Sequence, residues 1–194
     1  MKQSVPLNKA YRLLNHGPTV LVTTAHGERR NIMAAAWNMP LDFNPPKIAI
    51  VIDKQTYTRA LIEASGSFAI NVPCRAQVDM VLQVGSSSGR ELWGNTPDNK
   101  FAAFGVSTFA ASEISAPLVA GCVAWLECRV IPEPHIQNTY DLYLGEVVAA
   151  WADDRVFSDG RWHFGAHDDM RTLHHIAGGA FMTVSDPFMT GNVD

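Results

Sequence analysis

The sequence predicts a mainly β fold, a β-barrel with short helices inserted between some of its strands. Three observations carry this. Several strand-length segments rich in β-branched or alternating apolar residues are separated by turn-forming Gly, Pro, Asn and Asp. The helix-period segments are short. They also fail to alternate regularly with strands, as a doubly wound sheet would require. No repeat of 20–50 residues is visible.

The elements follow in order. Leu7, Ala10, Tyr11 and Leu14 recur at helical spacing between Pro6 and Gly17-Pro18, which predicts a short opening helix. Residues 19–24 are β-branched and end at the turn His26-Gly27-Glu28, with the segment Asn31 to Trp37 returning antiparallel. Asn44-Pro45-Pro46 forces an extended break. Residues 47–52 are continuously apolar, as in a strand buried on both faces.

Residues 58–65 read as a helix stopped by Gly66 at its C′ position, followed by a strand over Ser67 to Val72. Ala76 to Val84 is predicted helical and opens into the loop Gly85-Ser86-Ser87-Ser88-Gly89. From Cys122 to Val130 the even positions are apolar, while Glu127 and Arg129 occupy the other face, the pattern of a half-buried strand. Tyr140 to Trp151 is a second long strand, with turns at Asp153-Asp154 and Ser158-Asp159-Gly160. The whole, 1–194, is expected to be a single domain with a C-terminal extension from about residue 153, since 194 residues suffice for one full core.

Composition narrows the function classes. A net charge of -4 with scattered Lys and Arg gives no footprint for nucleic acid. No apolar run approaches the roughly 20 residues of a membrane span. Residues 1–6 run straight into an amphipathic segment rather than an apolar one, so no secretory signal is expected. Three cysteines without a Cys-x-x-Cys suit a reducing compartment, so a cytoplasmic protein is expected.

The strongest local chemistry lies in Asp53-Lys54-Gln55-Thr56-Tyr57-Thr58, where a buried strand runs into a helix. A helix start offers unpaired N–H groups and a positive dipole end. Thr56 and Thr58 add hydroxyls and Lys54 a compact positive charge, a set suited to a phosphomonoester. From the spacing alone, a plain helix cap by Thr56 or Thr58 is the commoner arrangement. One helix start can do both. Ser86, Ser88 and Arg90 form a second potential anion cradle, although without the Walker ending the same loop also reads as a plain connection.

His163 and His167 are four apart, but Phe164-Gly165-Ala166 is a poor helix and no His-Glu-x-x-His is present, which argues against a metal site. His174-His175 before Gly178-Gly179 reads as a loop against a ligand or a neighbouring subunit. Cys122 and Cys128 fall on the apolar face of their strand, and Cys74 shows no activating His or positive field. Around Trp37, Ala34-Ala35-Ala36 leaves room for a flat ligand, or simply packs as strand.

In their joint order these segments resemble the flavin reductase-like family, and most closely its flavoredoxin-like branch. The likeness runs over about residues 5 to 182. It rests on the stretch from Asn31 through Ala34-Ala35-Ala36-Trp37-Asn38-Met39-Pro40 to Pro46, on Lys54-Gln55-Thr56-Tyr57-Thr58, on Asn71-Val72-Pro73 and on the Gly85–Arg90 loop. Later matches are Ala116-Pro117-Leu118, the strand around Leu126-Glu127-Cys128, and Leu144-Gly145-Glu146-Val147-Val148.

The resemblance implies an FMN-binding split barrel. Ala36, Trp37, Asn38 and Met39 would run along the isoalloxazine. Asp53, Lys54, Thr56, Tyr57 and Thr58 would hold the ribityl chain and phosphate, with Ser86, Ser88 and Arg90 closing the phosphate end. It further implies a two-fold homodimer with His174 acting across the interface, and an oxidoreductase using NADH or NADPH to reduce flavin. FMN would be tightly or exchangeably bound, and the chemistry would belong to it rather than to a catalytic side chain. The alternative is an electron carrier that keeps its FMN and serves an electron-acceptor protein. Two departures stand out: Ala36-Trp37 replaces the Asn-Ser of many reductases, and Asn38-Met39 the commoner Phe-Thr.

Overall fold

A computed structural model describes residues 2–13, 17–90 and 99–188. Its main sheet is built from β1 (Lys2–Ser4), β2 (Val20–His26), β3 (Arg29–Ala35), β4 (Asn38–Phe43), β5 (Pro46–Val51) and β6 (Ser67–Val72), with two longer strands from the second half. The short pair β7 (Thr108–Phe109) and β8 (Leu118–Val119) precedes those two, β9 (Ala124–Ile131) and β10 (Leu142–Asp153). The strand order is β3-β2-β6-β9-β10-β5-β4, all pairs are antiparallel, and β1 joins the far end of β10. Two small hairpins follow, β11 (Phe157–Ser158) with β12 (Arg161–Trp162), and β13 (Leu173–Ala177) with β14 (Ala180–Thr183). The architecture is the expected mainly β split barrel.

Both faces of the central strands are covered, because alternate residues point in opposite directions. Val20, Val22, Phe68, Ile70, Val72, Leu126 and Cys128 fill the barrel interior. Leu21, Ala69 and Trp125, their neighbours in sequence, enter a second core outside it. The helices α2 (Val78–Gly85) and α3 (Asn99–Ala103) pack on that outer face through Val81, Val84 and Phe101, whereas α1 (Tyr57–Ser65) places Ile62 in the inner core. A fourth, α4 (Pro134–Tyr140), links β9 to β10. Gly66 ends α1 at φ 68°, and its N–H donates to Ile62 O at 2.8 Å, as the sequence predicts. Arg59 anchors the helix from within, bonding Glu63 (2.8 Å), Asp141 (2.5 Å) and Gln137 O (3.1 Å).

Several expectations need correction. The opening helix is a 3-10 helix over Leu7–Leu13, and Leu14 lies outside the described residues. β3 stops at Ala35, short of Trp37, and the unexpected β4 returns along β5. The Ala76–Val84 helix is a 3-10 turn at Arg75–Gln77 leading into α2. β10 begins at Leu142, because Tyr140 ends α4 and Asp141 adopts a left-handed backbone at φ 55°.

β9 is not half-buried. Arg129 is exposed, but Glu127 is completely buried. Its carboxylate accepts from Ser112 N, Ser112 Oγ, Glu113 N and Trp151 Nε1 at 2.7–3.1 Å. Burial alone would raise its pKa. The hydrogen bonds outweigh burial and hold it below the ordinary 4.5.

Glu127→Ala should therefore cost at least about 2 kcal/mol at neutral pH, because it strands these buried donors. A depressed native pKa stabilises above the unfolded value and is lost as pH falls through the native one. The gap between wild type and variant in urea unfolding should accordingly narrow below about pH 4.5. A gap independent of pH would contradict a charged, hydrogen-bonded Glu127.

Candidate functional site

After β5 the chain turns sharply into α1. The Asp53 carboxylate accepts from Gln55 N at 2.7 Å, and the Asp53 carbonyl accepts from Thr56 N (3.0 Å) and Thr56 Oγ1 (2.8 Å). Thr56 is extended, and its Oγ1 accepts from Arg59 N at 3.3 Å, so it caps the helix. The other N–H groups of a first turn have no carbonyl partner inside the helix, and the dipole there favours an anion.

Facing this turn is the end of α2. Ser86 N donates to Leu82 O at 3.0 Å, Ser87 Oγ donates to Gln83 O at 2.8 Å, and Arg90 N donates to Ser88 Oγ at 3.2 Å. Gly89 passes so close to the helix start that a Cβ would lie 2.5 Å from Asn31 Oδ1 and 3.1 Å from Tyr57 Cδ1. No larger residue fits there without displacing them.

Between the two segments lies a cavity of about 360 Å³, bounded by Gln55–Thr58, Val84–Gly89 and Lys100, with Asn31, Met33 and Ala34 contributed by β3. Asn31 is 2% exposed. Its Nδ2 donates to Thr58 Oγ1 at 2.8 Å, while its Oδ1 is buried with no hydrogen-bond partner among the described residues. A buried acceptor left so costs about 1–3 kcal/mol, which makes it a signal for a ligand donor. Lys100 is 3% exposed, and its Nζ donates to Val84 O at 2.8 Å. Burial lowers its pKa to about 8.

A second cavity of about 200 Å³ shares Ala34, Gly85 and Ser86 with the first, so the two form one trough. This end is more apolar. Ala34–Ala36 face Val81 and Leu82 of α2, and the β13–β14 hairpin adds His175, Gly178 and Phe181. The His175 ring packs 5.2 Å from that of Phe181. His175 Nε2 lies 2.9 Å from Gly178 O; because a carbonyl only accepts, Nε2 is the donor of that bond.

Ala36, Thr56, Tyr57, Thr58, Ser86 and Ser88 are thus brought together along the trough. Trp37 and Met39 are exposed and line neither cavity; the Trp37 carbonyl accepts from Val51 N at 3.0 Å. Asn38 Nδ2 donates to Pro18 O at 3.0 Å. Asp53 and Lys54 are exposed beside the helix start, outside both linings, as is Arg90.

His174 lines another cavity, with residues 182–188. His174 and His175 are strand rather than loop residues, so their side chains diverge and only His175 meets the trough. His163 Nε2 lies 2.8 Å from Ser158 Oγ. No group of three metal-ligating side chains occurs among the described residues.

Sequence reasoning did not pick out Asn31 or Lys100. Asn31 had a weak signal, a lone amide in a strand. Lys100 had none, being a single Lys before Phe101.

A polar, donor-rich cavity beside a more apolar one has the chemistry to suit a ligand with an anionic tail and an apolar body. Residues 12–173 match the flavin reductase like domain, and the chain belongs to that FMN-binding family. It is 48% identical to the uncharacterized protein YddH of Escherichia coli K12, over 92% of this chain and 93% of that one. Among solved structures it is similar to the FMN-binding domain of a flavin reductases-like enzyme from Shewanella baltica OS155. That match has 49% identity and a TM-score of 0.92 over 98% of this chain and 97% of the other. It is also similar to the flavoredoxin of Desulfovibrio vulgaris (Miyazaki F), at 26% identity and TM-score 0.75 over 91% of each.

The two threonines should separate in urea unfolding. Thr56→Ala removes a cap and should cost about 1 kcal/mol. Thr58→Val leaves the buried Asn31 amide without its acceptor and should cost about 1–3 kcal/mol. A neutral Thr58→Val would contradict the buried bond between β3 and α1.

Proposed function

We propose that this chain binds FMN and acts as an NADH- or NADPH-dependent flavin reductase. The observation that carries the reading is the two-part trough. Its flat end, bounded by Ala34–Ala36, Val81 and Leu82, suits the isoalloxazine. Its donor-rich end, at the start of α1 and along Ser86–Gly89, suits the ribityl phosphate. Asn31 Oδ1 fits as acceptor for a ribityl hydroxyl, which would relieve its burial without a partner. The small residues Ala34, Ala35, Ala36 and Gly85 keep side chains out of the plane a tricyclic ring would occupy.

FMN, when bound, supplies the hydride and electron transfer. The protein binds, orients and shields it. The β13–β14 hairpin, with His175 and Phe181, borders the ring end and is where a nicotinamide would approach. Anaerobic mixing of the FMN-loaded protein with NADH and with NADPH should bleach the flavin band with at least one of them. No bleaching with either would overturn the reductase.

The likeness to a flavoredoxin supports the second reading, an electron carrier that retains its FMN and passes electrons to a protein acceptor. Such a carrier would oxidise little nicotinamide in steady state with free flavin, until its partner is added.

We also propose a homodimer. On β4, an edge strand, Met39, Leu41 and Phe43 repeat with period two and, with Trp37, stay exposed, Trp37 at 75% and Phe43 at 65%. So contiguous an apolar stripe suits a second copy of the chain. Trp37→Ser with Phe43→Ser should convert a dimeric mass in light scattering to a monomeric one. A dimer that survives would place the interface elsewhere. The cytoplasm is the proposed compartment, since Cys74, Cys122 and Cys128 are all buried and free.

A further inference from the structure

We propose that Thr19 is a positioning residue that holds the β13–β14 hairpin as a flap over the apolar end of the trough. Its function as a flap rests on the FMN reading above, to which it adds control of access to the ring. The hairpin forms a two-stranded sheet of its own, outside the main sheet. Its first residue, Leu173, is buried in the outer core, whereas every residue from His175 to Ala180 is exposed. His175, Gly178 and Phe181 nevertheless border the cavity of about 200 Å³. The hairpin thus projects from a buried base and lies along the edge of that cavity. At its turn Gly179 comes close to α2, where a Cβ would lie 3.8 Å from Leu82 Cδ2.

The base holds it in place. Thr19, just before β2, is 4% exposed and lines the same cavity. Its N–H donates to Leu173 O at 2.7 Å, and its Oγ1 accepts from His175 N at 2.8 Å. The first is a backbone bond that any residue except proline can make. The second depends on the side chain. Where a continuing ladder would offer the His175 N–H a backbone carbonyl, a hydroxyl accepts it instead.

The attachment beyond Leu173 is therefore set by the residue type at position 19. Threonine and serine supply the oxygen, and valine, with the shape of threonine, does not. The pairing with β14 shifts register between His175 and Ala177, directly past the Thr19 bond, and such irregularities bend a strand. The return strand is tied separately, by Arg171 Nη1 donating to Val184 O at 3.1 Å. Thr19 governs the strand that carries His175. With that strand in place, the rings of His175 and Phe181, 5.2 Å apart, stand at the cavity edge and limit what enters it.

A purely structural contribution by Thr19 to overall stability is the competing account. Comparing Thr19→Val with Thr19→Ser separates the two. In the apo-protein, amide hydrogen exchange over residues 173–183 should be about 3- to 10-fold faster in Thr19→Val, the loss of one hydrogen bond. It should be unchanged in Thr19→Ser, with β9 and β10 alike in all three proteins. In the FMN-loaded protein, bleaching of the flavin band by dithionite, a small reductant, should quicken by a similar factor in Thr19→Val alone.

Equal hairpin exchange in wild type and Thr19→Val would overturn the anchor, as would a rise that extends to β9 and β10. Faster hairpin exchange with unchanged bleaching would overturn the flap. If wild type binds no FMN, the FMN reading fails and the flap with it, while exchange in the apo-protein still judges Thr19 as the anchor. Should Thr19→Val not fold, the wild-type His175 amide decides. It should be protected from exchange by at least about 10-fold, and an unprotected amide would refute the proposal.

Discussion

The buried hydrogen bond from Asn31 Nδ2 to Thr58 Oγ1 is the contact on which the site depends. It ties β3, at one end of the strand order, to the first turn of α1. The far side of that helix is fastened by Arg59 to Asp141 and Gln137. Held at both points, α1 can only aim its N-terminus at the space above β3. The same bond commits one side of the Asn31 amide and leaves the other, the acceptor, among the cavity's boundaries. Gly89 closes the arrangement, since only a glycine can pass within reach of both Asn31 and Tyr57.

The proposed anion site lies in a chain of net charge -4. The global charge says little here, because the relevant groups act over a few ångströms and are screened beyond about a Debye length. What counts is the local set: a helix start, the hydroxyls of the Ser86–Ser88 loop and a buried ammonium. The apolar end of the trough needs no charge. It is bounded by the small residues Ala34–Ala36 on one side and by α2, ending in Gly85, and the last hairpin on the other.

Much of this was legible in the sequence, and the physical reason is locality. β2, β6 and α1 with its Gly66 stop follow from periodicity and turn chemistry within a few residues of each other. Thr56 was legible as a cap for the same reason. What the sequence hid depends on distant packing. Glu127 reads as a solvent-facing residue in an alternating strand, yet the segment at Ser112–Glu113 covers it and supplies its hydrogen bonds. β4 was obscured because its apolar positions are exposed rather than buried, so its alternation does not report a core. At the site, Lys100 enters from a short helix far along the chain. His175 rather than His174 meets the trough only because both belong to a strand.

The fold therefore supplies a socket, and the family places that socket among flavin proteins. In the proposed reading its residues bind and orient the flavin and leave the redox step to the cofactor. The most direct measurement is an equilibrium titration of FMN with the purified apo-protein, followed by flavin fluorescence. The account predicts quenching that saturates at one flavin per chain and is weakened by enlarging Ala34 to Phe. Fluorescence that stays unchanged throughout the titration would contradict it.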